Sequence, residues 1–136
     1  MADERAFALK VITPDRVFYE GEAIMVELRT TEGEIGVLKN HIPLTCVVAP
    51  GVLRIRETDS TTKVAALLSG FVEILQDRVT ILAEVVEWPE EIDLGRAEEA
   101  RIRAERRLAE KADRTNMKRA ELALQRAVAR IEVVKK

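Results

Sequence analysis

The stretch Trp88-Pro-Glu-Glu-Ile-Asp-Leu-Gly95 separates two parts of the chain that differ in physical character. All four prolines, all five aromatic residues and five of the six glycines lie before Glu90, and no glycine or proline follows Gly95. The part before Glu90 carries fourteen acidic and nine basic residues, whereas the rest carries ten and thirteen. The first part is long enough to bury a modest core, but the second part is too short to bury one alone.

Upstream of this stretch, short apolar runs alternate with turn residues such as Thr13-Pro-Asp15 and Thr58-Asp-Ser60. The runs cover residues 6–12, 16–19, 23–29, 35–38, 44–48, 52–56, 63–68, 71–75 and 79–83. Short strands separated by turns about every 8 to 12 residues are typical of all-β sandwiches and barrels. The first part is therefore predicted to be a β-sandwich of about nine or ten strands, spanning residues 1–88.

Downstream, a helical pattern begins, because Asp93 is a good N-cap and apolar residues then recur every three or four positions. The first helix carries Leu94, Ala97, Ala104 and Leu108, and the second carries Met117, Ala120, Leu124, Ala127, Ile131 and Val134. Between them the pattern stops around residues 113–116, where Thr115 or Asn116 is expected to cap the second helix. Residues 89–136 are thus predicted to form an antiparallel helical hairpin, which gives an α+β chain of two segregated parts. Such a short, alanine-rich hairpin needs something larger to pack against.

Composition excludes several classes of protein. No apolar run approaches the ~20 residues of a membrane span, and the N-terminus lacks signal-peptide features, so a cytosolic chain is expected. One cysteine and one histidine cannot form an internal disulfide or a protein-only zinc site. A net charge of −2 gives no general reason to bind nucleic acid. An enzyme is disfavoured, because neither a phosphate-binding loop nor a convincing acid–base constellation is present.

Three motifs in order resemble one family, the epsilon subunit of the bacterial F-type ATP synthase. Residues 33–44, GEIGVLKNHIPL, resemble the family signature G-x-L-G-I-L-P-G-H-x-P-L, with Lys39 in place of Pro and Asn40 in place of Gly. Residues 67–74 and 77–83 look like the family's last β-hairpin, and residues 118–127 look like its second helix. The resemblance covers essentially the whole chain.

The resemblance implies a non-catalytic subunit of a rotary motor, peripheral on the cytoplasmic face of the bacterial membrane and touching the membrane only through the complex. Its sandwich would bind the gamma subunit and rest on the c-subunit ring, with Glu34 and His41 as contacts to the ring. Its hairpin would fold on the sandwich or extend into the alpha/beta catalytic hexamer, where it inhibits ATP hydrolysis. Basic residues would then face an acidic segment of the beta subunit: Arg103, Arg106, Arg107, Arg114, Lys118 and Arg119. The simpler alternative is that this charged helix face is only solvated.

Residues 92–97, IDLGRA, match the I/L-D-x-x-R-A motif of those epsilon subunits that bind ATP as a regulatory ligand. The match implies ATP contacts from Asp93, Arg96 and Ala97, with Glu87 on the adenine side. Arg126 and Arg130 share one helical face and suit phosphate oxygens. No catalytic cofactor is expected, and whether magnesium accompanies ATP is left open. In the alternative interpretation Asp93 only caps the helix, Arg96 pairs with it, and both later arginines are solvated.

The regulatory hypothesis is a population shift, in which ATP binds only the folded-back hairpin and so stabilises that state. A different class of function, a free-standing ATP-sensing scaffold with a helical arm, predicts a monomer without a stalk partner.

Overall fold

A computed structural model describes residues 3–110 and 114–135. In these residues seven strands precede a 3-10 turn at Pro89–Glu91 and two helices. The strands are β1 (Phe7–Ile12), β2 (Val17–Thr30), β3 (Gly33–Val37), β4 (Leu44–Val47), β5 (Gly51–Glu57), β6 (Thr62–Ile74) and β7 (Arg78–Glu87), and the helices are α1 (Leu94–Ala109) and α2 (Arg114–Lys135). The predicted fold class, a β-sandwich followed by two helices, is confirmed.

The strands pair in the order β1-β7-β6-β5-β2-β3, and the arrangement closes on itself because β1 also pairs with β2. Strand β4 pairs with β6 outside this path. All the pairings are antiparallel except that between β1 and β7. The first and last strands of the sandwich therefore each have two neighbours, and β7 delivers the chain to the helices.

The described strands number seven, fewer than predicted, because two pairs of predicted strands are single bent strands. The runs 16–19 and 23–29 form β2, whose pairing with β5 shifts register between Ala23 and Met25. The runs 63–68 and 71–75 form β6, whose pairing with β7 shifts register around Ser69 and Gly70. Gly70 adopts φ +138°, a conformation that suits glycine. These bends let one strand serve both layers of the sandwich.

The apolar residues form two clusters on opposite faces of the same strands. The main core contains Leu53, Ala65 and Leu67, while the second cluster contains Val52, Ala66 and Leu68 together with Ala129 and Val133 of α2. The run from Ala65 to Leu68 is thus buried on both faces. Continuous apolar runs of this kind are expected where a helix covers the outer face of a sheet. Helix α2 therefore rests on the sandwich, at β5 and β6.

The hairpin differs from the prediction at two points. Helix α2 already includes Arg114, so Thr115 and Asn116 lie within the helix and not at the residue that precedes it. The predicted seam is confirmed in its alanines, since Ala97, Ala104, Ala120 and Ala127 are buried. The most buried side chain of α2 is nevertheless Val133, outside the predicted seam, because α2 uses a second face to contact the sheet.

Candidate functional site

A pocket of about 380 Å³ lies where the end of β7, the first half of α1 and the C-terminal part of α2 meet. Its lining combines three carboxylates, three arginines and three apolar residues: Glu87, Glu91 and Asp93; Arg96, Arg103 and Arg130; Ile92, Ala97 and Ala100. Five of the six residues predicted to contact ATP are therefore brought together. The sixth, Arg126, is exposed and does not line this pocket.

The two ends of the pocket that are farthest apart in sequence meet in an ion pair. Arg130 donates from Nε to Glu87 Oε1 at 2.7 Å and from Nη2 to Glu87 Oε2 at 3.2 Å. Glu87 lies opposite Ala66 in the β6–β7 ladder, and Ala129, next to Arg130, packs in the cluster that contains Ala66. Apolar docking of α2 thus sets the register that places the arginine against the glutamate.

Asp93 positions the first turn of α1. Its Oδ1 accepts a hydrogen bond from the Arg96 backbone N–H at 3.1 Å, and its carbonyl accepts one from the Ala97 N–H at 3.0 Å. The N-cap prediction is confirmed. Because the bond uses the backbone of Arg96, the cap leaves the Arg96 guanidinium, which lines the pocket, for other contacts.

Glu91 at the rim is held by the sandwich. Arg16 Nη2 donates to its two carboxylate oxygens at 2.9 and 2.7 Å, and the Trp88 N–H donates to Oε1 at 2.8 Å. The Trp88 N–H bond, opposed by desolvation and helped by Arg16, lowers the pKa of Glu91. The Trp88 ring stacks on Phe18 with centroids 4.2 Å apart, and the Arg16 guanidinium lies 5.1 Å from the Phe18 centroid. We call Arg16, Phe18, Trp88 and Glu91 the junction cluster.

Sequence reasoning did not identify Arg16 or Glu91 as part of this site. The role of Glu91 in capping the 3-10 turn could have been predicted, because Pro89 at the first helical position followed by Glu91 two residues later is a capping pattern. The ion pair of Glu91 with Arg16 could not, since 75 residues separate the two.

The basic residues assigned to the beta subunit divide into two groups. Arg103 lines the pocket. The others are exposed where the two helices approach their connection: Arg106 and Arg107 near the end of α1, and Arg114, Lys118 and Arg119 at the start of α2. The second group forms a basic tip on the hairpin, and its role as a partner contact stays a prediction.

Glu34 and His41 lie in β3 and in the loop that follows it. Glu34 is exposed and His41 is half-buried, with Nδ1 2.7 Å from the Ile42 carbonyl oxygen. Asn40, at the position where the resembled signature has glycine, adopts φ +68°. The loop therefore needs a left-handed residue there, which asparagine tolerates. Ile42 is 78% exposed at the same loop, an apolar contact candidate that the sequence reasoning missed.

An exposed apolar row crosses the outer face of the sandwich. Val47 pairs with Phe71, Phe71 with Leu82, Leu82 with Ile12, and Ile12 with Val17. Four of these five side chains are 46–53% exposed, and Ile12 is half-buried. Contiguous exposed apolar surface of this kind marks a partner contact. We call these five residues the apolar row.

Within residues 3–110 and 114–135, no group of three or more metal-ligating side chains is gathered. No helix in these ranges has the length and apolarity to cross a bilayer. Cys46 is half-buried against the main core, and this burial raises the pKa of its thiol.

Comparison with known proteins matches both parts of the chain. Residues 6–89 match the family model of the ATP synthase delta/epsilon chain β-sandwich domain, and residues 90–135 match that of its long α-helix domain. The chain belongs to the ATP synthase delta/epsilon chain family. The ATP synthase epsilon chain of Caldanaerobacter subterraneus subsp. tengcongensis is 45% identical over 134 residues, which cover 98% of this chain and 96% of that one.

A second relative and one solved structure extend this comparison. The ATP synthase epsilon chain of Shouchella clausii is 48% identical over 127 residues, 93% of each chain. In the Euglena gracilis mitochondrial ATP synthase, a chain that is 22% identical shares the fold with a TM-score of 0.82, over 100% of this chain and 85% of that one. At this low identity the structural likeness speaks for the fold alone.

Proposed function

We propose that this protein is the non-catalytic epsilon subunit of the central stalk of a bacterial ATP synthase, and that ATP stabilises its hairpin in the compact state. The proposal places it on the cytoplasmic face of the membrane, in contact with the gamma subunit, the c-subunit ring and the alpha/beta hexamer. Family membership supports the assembly. The observation that carries the regulatory part is the pocket, whose charged residues come from the sandwich exit, α1 and α2 together.

The apolar row supports docking to the stalk. Four half-exposed apolar side chains on neighbouring strands offer a rigid surface, and burying each one fully would contribute about 1 kcal/mol or more. The part of the outer surface that α2 covers, at β5 and β6, is already buried. The sandwich therefore has one outer region for a permanent partner and another for its own helical hairpin, which we call the arm.

The contact of α2 with the sandwich is small enough to be reversible. Its two buried side chains in the second cluster are Ala129 and Val133, and they contribute on the order of 3 kcal/mol by area. A ligand that binds only the compact state adds a free energy that grows with the logarithm of its concentration. ATP at about a hundred times its Kd would add about 2.7 kcal/mol, which is comparable with a docking free energy of this size.

The arginines suit a polyphosphate. Guanidinium groups bind phosphate oxygens as planar forks, and Arg96 and Arg103 on α1 face the same pocket as Arg130 on α2. Extension of the arm would separate Glu87 from both helices and take the pocket apart. ATP binding and arm extension are therefore mutually exclusive in this proposal.

Calorimetric titration of the full chain with ATP and with ADP, with and without magnesium, tests the regulatory part. We expect ATP to bind, and Arg96→Ala to weaken it about tenfold or more, because a hydrogen bond to a charged group is lost. Arg126→Ala should weaken it less, since Arg126 lies outside the lining. Absence of ATP binding would refute the regulatory part. Recovery of the chain from its source cells without other synthase subunits would refute the assembly.

A further inference from the structure

Arg130 of the pocket already binds an anionic group of the same chain, the carboxylate of Glu87. This carboxylate accepts two hydrogen bonds from the Arg130 guanidinium, at 2.7 and 3.2 Å, in a fork-to-fork arrangement. The two side chains are 28% and 30% exposed, so the pair is partly shielded from water. This is the geometry with which a guanidinium binds a phosphate group.

Within the described ranges, the other arginines and Glu91 of the pocket do not form ion pairs that join the sandwich to α2. Among the described residues, neither Arg96 nor Arg103 forms an ion pair with a side chain of the protein. Glu91 is held by Arg16 of the sandwich, so its carboxylate does not depend on the arm. Glu87 is therefore the carboxylate of the lining that competes directly for a pocket arginine.

The same pair joins the sandwich to the arm. Glu87 is the last residue of β7, Arg130 lies on α2, and 43 residues separate them. The pair lies beside the apolar contact of Ala129 and Val133 with β5 and β6. It thus stabilises the compact arm and occupies a phosphate-binding group at the same time.

We propose that Glu87 is a tethered anion that occupies Arg130 in the nucleotide-free compact state and is displaced by the polyphosphate of the ligand. This inference rests on the proposed function and assigns Glu87 a role different from the adenine contact that the motif implies. Two opposite effects follow from removing its charge. The empty arm docks less firmly, yet a polyphosphate binds more tightly because it no longer competes with the carboxylate.

Inorganic tripolyphosphate is the suitable probe, because it carries the phosphates without adenine. Calorimetric titration of the full chain compares wild type, Glu87→Gln and Glu91→Gln. Glutamine keeps the shape of each side chain and removes one negative charge from the same pocket. We expect Glu87→Gln to raise the affinity for tripolyphosphate about fivefold, the value of a partly exposed ion pair. Glu91→Gln should raise it less, since Arg16 already compensates that charge.

Amide hydrogen exchange of α2 provides the second readout, and Glu87→Gln should accelerate exchange in the unliganded chain. An unchanged tripolyphosphate affinity in Glu87→Gln would overturn the proposal, since it would show that Glu87 only bridges the sandwich and α2. An equal gain in Glu91→Gln would also overturn it, since it would show a general effect of removing negative charge.

If wild type binds ATP while no variant binds tripolyphosphate, this inference is wrong and the proposed function stands. If ATP fails to bind but Glu87→Gln binds tripolyphosphate more tightly than wild type does, the competition is real and the ATP assignment is wrong. If no variant binds either compound, both are wrong.

Discussion

Gly70 carries the sharpest backbone constraint in the sandwich. A Cβ at this position would lie 2.2 Å from the Leu82 carbonyl oxygen and 2.9 Å from the Ala83 Cα, and φ is +138°. Gly33 has a similar φ of +120°, but a Cβ added there would meet no atom within 4 Å. Comparing substitutions at the two glycines therefore separates the cost of a strained backbone from the cost of a steric clash.

We predict that Gly33→Ala lowers the free energy of unfolding by about 1–3 kcal/mol, the cost of an unfavourable backbone conformation. Gly70→Ala should cost more, because the β6–β7 ladder must also move. Urea denaturation of both variants measures the difference. Equal losses would show that β7 shifts freely and that close packing at Gly70 is unimportant.

Asp93 has a capping role that the structure supports and a ligand role that is still a prediction. Asp93→Ala should destabilise the start of α1 by about 1 kcal/mol, whereas Asp93→Asn should preserve the cap, because asparagine caps equally well. If the carboxylate contacts ATP, Asp93→Asn weakens ATP binding while hydrogen exchange in α1 is unchanged. Unchanged ATP affinity in Asp93→Asn would show that Asp93 caps the helix and that its charge makes no contact with ATP.

At the scale of the elements, the docking of α2 depends on one of its two neighbouring valines. Val133 is fully buried in the second cluster, while Val134 is half-buried and outside it. Val133→Ala should weaken docking by about 1.5 kcal/mol, the value of two buried methylene equivalents. The matched Val134→Ala should weaken it less. Amide exchange in α2 and ATP affinity measure both effects, and equal effects would contradict the assigned face.

The features of the fold that depend on local sequence patterns were predicted from the sequence. Alternating residues indicated the strands, Asp93 indicated the start of α1, and buried alanines followed the helical spacing. Strand β6 was counted as two strands because the bulge at Ser69–Gly70 resembles a turn when only neighbouring residues are considered. The docking face of α2 was readable in principle, since the run from Ala65 to Leu68 has no polar residue for an exposed outer face.

Five of the nine residues that line the pocket were predicted from the sequence, but the pairings between them were not. A six-residue motif placed Asp93, Arg96 and Ala97 together because they share one helical turn. The contact of Glu87 with Arg130 depends on how α2 docks, which no local signal specifies. The junction cluster was missed for the same reason, since Arg16 comes from the start of the sandwich.

The junction cluster makes the connection between sandwich and arm sensitive to acid. The pKa of Glu91 is lowered in the folded protein, first by the Trp88 N–H and then by Arg16. A carboxyl with a lowered pKa stabilises the fold above its ordinary pKa of about 4.3, and this contribution disappears as the pH falls through the lowered value. The difference in unfolding free energy between wild type and Glu91→Gln should therefore be present at pH 7, at under about 1 kcal/mol, and vanish in strong acid.

Urea denaturation at several pH values measures this difference, and Arg16→Gln should show the same pH dependence because it removes the other partner. A double-mutant cycle isolates the coupling of Arg16 with Glu91. A difference that persists unchanged at acidic pH would show that Glu91 acts through packing and not through its charge.

On the scale of the whole molecule, the exposed apolar row and the region covered by α2 are separate, and the proposed function assigns the first to assembly and the second to regulation. The apolar row lies on the outer surface of strands β4, β6, β7, β1 and β2, while the arm covers a different part of the outer surface, at Val52 of β5 and at Ala66 and Leu68 of β6. The proposed function requires this separation, because in it the arm moves while the sandwich stays bound to the stalk. The two activities should therefore fail independently under mutation.

Leu82 and Leu122 provide a matched test of this independence. Leu82 belongs to the apolar row and is 53% exposed, and Leu122 lies on α2 and is 46% exposed. Leu82→Ser should weaken binding to the co-expressed gamma subunit of the same synthase by about tenfold, since an apolar contact of about 1–2 kcal/mol is lost. Leu122→Ser should leave that binding nearly unchanged, and both variants should retain ATP affinity. If Leu82→Ser binds gamma normally, the stalk contacts another surface, and if it loses ATP affinity as well, the two regions are coupled through the sandwich.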